Sequence, residues 1–191
     1  MKVIGFTGNY GNGEESLQSY LMVDSSILYS GRPFFLPDFA QRFVATPALV
    51  VRTGRLGKSI APKFAHRYWN AFTAGFSVRA EDSDQPALSV LDHAFDGAAI
   101  VGDWVETATV ADALHETVEL LIDGEVVARH CLADMRRPLD ELLSGVSVRC
   151  SIKMGDLLFT GDAGPGHVLA PGNRLTALVG GKPVLDVKVR L

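Results

Sequence analysis

Residues 44–69, VATPALVVRTGRLGKSIAPKFAHRYW, set how the rest of the chain is read. The first half is rich in β-branched residues, Val44, Val50 and Val51 among them, and ends at the glycine-punctuated turn RTGRLGK. The second half places Ile60, Phe64, Ala65 and Tyr68 at helical spacing with Pro62 in a first turn, which predicts a short amphipathic helix. The stretch therefore reads as strand, basic turn and helix, and it contains no carboxylate. Arg52, Arg55 and Lys58 gather in the turn. A guanidinium presents a planar fork of donors, so these three are candidates for holding a carboxylate or phosphate, weighed against an ordinary solvated turn.

Working outward, KVIGFT before this stretch predicts a strand, the turn-rich GNYGNGEES follows, and residues 16–23 read as a short helix or loop. SSILYS is a further strand, and GRPFFLPDFAQRF, with its prolines and aromatics, reads as an ordered surface loop. On the other side, NAFTAGFSVRA alternates in strand fashion, SDQPALSVLDHAF is a helix candidate with Pro86 near its start, and GAAIVGDWVET returns to strand. In TVELLIDGEVVARH, Asp123-Gly124 between two β-rich arms signals a type I′ hairpin. RRPLDELLSGVSV reads as a helix, and the tail as strands broken by Gly and Pro. Many strands and a few short helices without a βαβ rhythm give an α+β class, mostly β. With no repeat or linker, residues 1–191 form one expected domain, with 1–40 as an N-terminal strand-and-loop extension packed on it.

Composition narrows the function classes. The chain has 191 residues, of which 47% are hydrophobic and 21% charged, with a formal net charge of −4, so nothing in it points to nucleic acid. The opening MKVIGFTGNY fits neither a signal peptide nor a spanning helix, so no membrane association and a cytoplasmic location are expected. Cys131 and Cys150 lack CxxC spacing and read as small buried apolar residues. His130 and Cys131 are adjacent on a predicted strand and project to opposite faces, so they cannot pair as base and nucleophile. GNYGNG has its glycines in the wrong order for a dinucleotide fingerprint. The five histidines, His66, His93, His115, His130 and His167, form no HxH or HExxH pair.

Taken in order, RLGKSIAPKFAHRYW, AFTAGFSVRAED, FDGAAIVGDWV, the IDGEVV hairpin and GDLLFTG resemble the fumarylacetoacetate hydrolase family, especially its short bacterial acylpyruvate hydrolase-like members, over almost the whole chain. The resemblance implies a mixed β-roll, a homodimer, and Mg²⁺- or Mn²⁺-dependent cleavage or rearrangement of β-keto acids such as acylpyruvates. In that chemistry a divalent ion held by carboxylates chelates the keto and carboxylate oxygens and stabilises the enolate that forms.

This sequence departs from the pattern where the chemistry resides. The family's Glu-x-Glu falls on Thr46 and Ala48, and its Asp falls on Ser77. The N-terminal RNYxxHxxE appears as Gly8-Asn9-Tyr10 followed by Gly13 and Ser16, so the His and Glu that activate water are replaced. A family Lys aligns with His93, and the Thr-Pro of the FTGTP loop is Asp162-Ala163. The expectation is a degenerate member that has lost its metal site, needs no cofactor, and serves a binding or assembly role, with a small organic acid as ligand. The alternative is a hydrolase, decarboxylase or isomerase for acylpyruvates or oxaloacetate, rebuilt on Asp82, His93, Asp162 or His167. A third expectation is a purely structural dimer whose old pocket is filled by Phe6, Phe72 and Phe76.

Overall fold

The computed structural model describes residues 1–11, 16–83 and 86–191, with the side chains of residues 82, 83 and 86 left aside. Its framework is a long antiparallel pair, β5 (Ala40–Thr53) with β6 (Trp69–Ser83), which opposes Thr46 to Ser77 and Ala48 to Gly75. The strand read from VATPALVVRT thus begins earlier than its β-branched run, inside the segment expected to be loop, because Arg42 and Phe43 find partners in Glu81 and Ala80.

A large sheet builds on this pair. On one side β11 (Leu157–Phe159) joins β5, then β1 (Val3–Thr7) joins β11 in parallel, then β2 (Gln18–Met22) joins β1. On the other side β7 (Ala99–Val101) joins β6, and β3 (Ile27–Tyr29) joins β7 in parallel. Short strands β8 (Val105–Glu106) and β12 (His167–Val168) extend β6 and β5. Residues 16–23, expected as helix or loop, are therefore largely strand, recruited by the free edge of β1.

The chain forces this sheet to curl. β2 and β3 stand at opposite ends of the path β2-β1-β11-β5-β6-β7-β3, yet only residues 23–26 join them. Those few residues reach ~18 Å at full extension, whereas a flat sheet would hold the two end strands ~29 Å apart. The sheet therefore rolls, and the roll's interior is packed by apolar side chains: Val3, Met22, Ala48, Val50, Ala99, Val101, Leu157 and Phe159. Gly75 is part of that fit, since a Cβ there would lie 2.4 Å from the Ile100 carbonyl oxygen.

The outer face of the roll carries the main core, with Leu49, Val51, Phe72, Ala74, Phe76 and Val78 projecting to it. A second sheet covers this face: β9 (Val118–Ile122), β10 (Glu125–His130), β13 (Arg174–Val179), β14 (Lys182–Arg190) and β4 (Phe34–Phe35) in the order β10-β9-β13-β14-β4. The β9–β10 turn has positive φ at both Asp123 (53°) and Gly124 (86°), the type I′ geometry that Asp-Gly favours. The helix α1 (Leu139–Arg149) adds Leu139, Leu142, Leu143 and Val146 at helical spacing to the same core. The segment 61–67 is a six-residue 3-10 turn, Pro62–Arg67, rather than an α-helix, and Pro86–Leu91 is another. The mixed β-roll with short helices matches the expected class.

Candidate functional site

Strand register decides what gathers at one end of the roll. Thr46 and Ala48 alternate with outward-facing Ala45, Pro47 and Leu49, and Ser77 alternates with outward-facing Phe76 and Val78. Thr46, Ala48 and Ser77 therefore share the inner face, on neighbouring strands. Phe6, Phe72 and Phe76 project to the other face, into the main core, which corrects the expectation that they fill this cavity.

What fills it is Tyr20. Its ring passes over Gly5 on the adjacent strand, where a Cβ would lie 2.1 Å from the ring. Its hydroxyl meets Ser77 Oγ at 2.6 Å, either oxygen donating, and the ring stacks on His93 with centroids 4.2 Å apart. Burial pushes the Tyr20 phenol up to about 12, opposed by the bond to Ser77 and reinforced by the negative charge of Asp162, so the phenol stays neutral across the physiological range. His93 is pushed down to about 4, first by burial and then by the Arg79 charge, and its Nδ1 is buried without a hydrogen-bond partner among the described residues. A neutral imidazole stacked on a neutral phenol suits a half-buried, poorly solvated site.

The other sequence candidates fall in several places. Asp162 is half-buried and close enough to act on Tyr20 electrostatically. His167 pairs with Ala45 in register, which places it on the face of Ala45 and away from that of Thr46. Ser16 is exposed, Gly13 lies outside the described residues, and so does the side chain of Asp82.

The three basic candidates of the turn have different surroundings. Arg52 is bonded to Glu106 at 2.5 Å and lies 5.1 Å over the Trp104 ring, while Lys58 donates to the Val148 carbonyl at 3.0 Å, near the end of α1. Arg55 is exposed.

Two groups that the sequence reading did not count among the site candidates shape the surroundings of the site. Tyr20 lies inside the segment read as helix or loop, where Tyr20, Leu21 and Met22 are apolar in succession and give no alternation that marks a strand. Asn9, fully buried, donates from Nδ2 to the Thr160 carbonyl at 2.8 Å and accepts at Oδ1 from the Arg137 amide at 2.8 Å. Beside it, the Tyr10 hydroxyl meets Thr160 Oγ1 at 2.8 Å, and burial raises that phenol well above its ordinary value. The Asn-Tyr pair kept from the family's N-terminal motif is thus a clamp on the loop that leads to Asp162.

A family model for the fumarylacetoacetate (FAA) hydrolase C-terminal region matches residues 10–190. The chain belongs to this family. No curated protein sequence matches this FAA hydrolase family member. Among solved structures, a fumarylpyruvate hydrolase from Pseudomonas aeruginosa, in complex with Mn²⁺ and pyruvate, is 20% identical with a TM-score of 0.88, covering 100% of this chain and 90% of its own. A 5-carboxymethyl-2-hydroxymuconate delta-isomerase from Mycobacterium smegmatis is 22% identical with a TM-score of 0.85, covering 99% and 78%. A maleylpyruvate hydrolase from Sphingobium sp. SYK-6 is 18% identical with a TM-score of 0.86, covering 99% and 70%. At these identities the likeness is one of fold.

The family's metal can be tested against the groups present. Residues 46, 48 and 77 offer a threonine hydroxyl, an alanine methyl and a serine hydroxyl already bonded to Tyr20. A hard dication that gives up its hydration reluctantly gains little from such a set, so these residues do not fit Mg²⁺ or Mn²⁺. Among the described residues no three His, Cys, Asp or Glu side chains gather as a metal-sized group. No helix among them is long and apolar enough to cross a membrane.

Proposed function

We propose that this FAA hydrolase family member does not perform metal-dependent C–C bond chemistry, and that it acts as a homodimeric binding or assembly protein. The observation that carries the reading is the Tyr20–Ser77 hydrogen bond: a tyrosine from β2 engages the position expected to supply a metal-binding carboxylate. The two remaining ligand positions carry Thr46 and Ala48, so the change is consistent across the whole set.

The test is calorimetric titration of the purified chain with Mn²⁺, with and without oxalate as an enolate mimic. The expected result is no stoichiometric binding in either case. Stoichiometric binding strengthened by oxalate would overturn the reading.

A second reading has one observation in its favour, the buried Nδ1 of neutral His93, which has no hydrogen-bond partner among the described residues. It gives a metal-independent isomerase, or a hydrolase or decarboxylase acting on acylpyruvates or oxaloacetate, with His93 taking a proton at Nδ1. This reading expects turnover of fumarylpyruvate or oxaloacetate that survives EDTA and is lost in His93→Gln. EDTA-resistant turnover unchanged by that substitution would remove His93 from the chemistry.

A further inference from the structure

The connection between β5 and β6, residues 54–68, packs with residues 147–155 to form one end of the molecule. Gly57 bridges Ile152 in antiparallel fashion, the Gly155 amide donates to the Thr53 carbonyl at 2.8 Å, and the Ser59 amide donates to the Ser147 carbonyl at 3.0 Å. This register sets Leu56 beside Lys153 and Arg55 beside Met154. Aliphatic side chains stand in water here: Met154 is 76% exposed and Leu56 68%, with Val148 near them. Arg55, Lys58, Lys63, Arg67 and Lys153 are exposed on the same end. Residues 53–67 and 142–155 contain no acid at all, in a chain whose formal net charge is −4.

These five charges are not neutralised from within. Lys58 donates to the Val148 carbonyl at 3.0 Å, Lys63 and Arg67 lie 4.9 and 5.1 Å from the centroid of the Phe64 ring, and none of the five meets a carboxylate among the described residues. Acids that approach this end are already engaged. Buried Asp156 accepts from Lys2 and from the Lys153 amide, Glu106 is held by Arg52, and half-buried Asp140 acts on His66. The described residues that flank the two undescribed stretches are remote. Ser83 pairs with Ala40 at the far end of β5, ~40 Å of strand away, and Ser16 precedes Gln18, which pairs with Thr7 at the end of β1 away from Leu157. Arg149, which shares a pocket with Ser16, is not one of the five.

We propose that this end of the molecule docks on an anionic lipid surface, with Leu56 and Met154 entering the headgroup boundary and the five cations meeting lipid phosphates. Charge complementarity chooses the sign of the partner, and the shape of the face chooses its kind. Two loop tips carry aliphatic side chains outward, and a fluid bilayer accepts them without a matching cavity. Single-stranded nucleic acid would need open aromatic faces, whereas the exposed ring at this end, Phe64, is already flanked by Lys63 and Arg67. Docking of this kind needs no spanning helix, so it departs from the expectation of no membrane association, which considered leader and spanning segments alone. It also goes beyond the reading of the inner site and stands independently of it, because Thr46 and Ser77 lie in mid-strand, away from this end.

Co-sedimentation of the full chain with vesicles tests it, comparing phosphatidylcholine that contains about one-third phosphatidylserine with phosphatidylcholine alone. The expected outcome is binding to the anionic vesicles that weakens as salt is raised, and binding to the neutral ones at least about a hundredfold weaker. Lys63→Gln/Lys153→Gln, at exposed positions, lowers binding about twenty-five-fold, or about fivefold for each lost cation. Leu56→Ser/Met154→Ser leaves the charge unchanged and lowers binding about tenfold or more. Both variants keep the wild-type circular dichroism spectrum. Absence of binding to the anionic vesicles, equal binding to the neutral ones, or indifference to either double variant would overturn the proposal. So would release of the chain by soluble glycerophosphoserine at the same headgroup concentration, which would reduce the face to a phosphate site. Preference for polyuridylate over the vesicles would assign the face to nucleic acid instead, and a self-associated chain that Leu56→Ser/Met154→Ser disperses would assign it to a second copy. The wild-type comparison of the two vesicle compositions decides the matter even where a variant fails to fold.

Discussion

His93 is neutral because burial and the Arg79 charge both oppose its protonation, holding it near 4 against an ordinary 6.5. Between those two values the unfolded chain takes up a proton that the folded chain refuses, so stability rises with pH across the window and falls as the solution is acidified from 6.5 towards 4. His93→Phe keeps a ring against Tyr20 and removes the titration. Its melting temperature is expected to drop less than that of the wild type over the same acid range, and parallel curves would show that the imidazole contributes nothing to the slope. Carboxylates titrate nearby in both proteins, which is why the difference between the two curves is the measurement. At this scale the sequence was informative about what is absent and silent about what replaces it. Ser77 can be read directly as a missing carboxylate, but its partner Tyr20 lies 57 residues away, and only the fold of β2 onto β1 brings the two hydroxyls together.

Elements explain why Tyr20 can be there at all. β1 and β2 pair with Gly5 opposite Tyr20, and the missing Cβ of Gly5 is the space the phenol ring occupies. Gly5→Ala is therefore expected to destabilise the protein by about 1–3 kcal/mol through overpacking. Tyr20→Ala removes the ring, and on that background Gly5→Ala becomes nearly free. The coupling expected from urea unfolding of the four proteins is about 0.5–3 kcal/mol, and additive effects would show that the ring and the glycine do not share this space. The same elements show where local patterns mislead. The β9–β10 hairpin was legible because Asp123-Gly124 carries its own turn geometry. β2 was not, since a short strand with mostly exposed side chains has little pattern of its own and exists because β1 offers it an edge. Ile60, Phe64, Ala65 and Tyr68 have helical spacing, yet only Ala65 and Ile60 are buried, and the run closes as a 3-10 turn between the ends of β5 and β6.

The whole molecule is two apolar clusters on opposite faces of the same strands. Leu49 and Phe76 belong to the cluster under the second sheet, while their neighbours on β5, Ala48 and Val50, belong to the cluster inside the roll. One backbone presents side chains to both clusters, so loss of packing in one weakens the β5–β6 pair that supports the other. The structure thereby predicts a single cooperative unfolding unit in spite of two separate cores. The chain's two tryptophans report on them individually: Trp69 packs against the outer cluster and Trp104 against the inner one. In Trp104→Phe and Trp69→Phe, the remaining indole follows one cluster at a time. Urea unfolding of each variant, monitored by fluorescence and by far-ultraviolet circular dichroism, is expected to give the same midpoint from both probes. An inner-cluster signal that is lost before the circular dichroism changes would show instead that the roll opens while the sheets persist, and would make the Tyr20–Ser77–His93 end a separately mobile part of the fold.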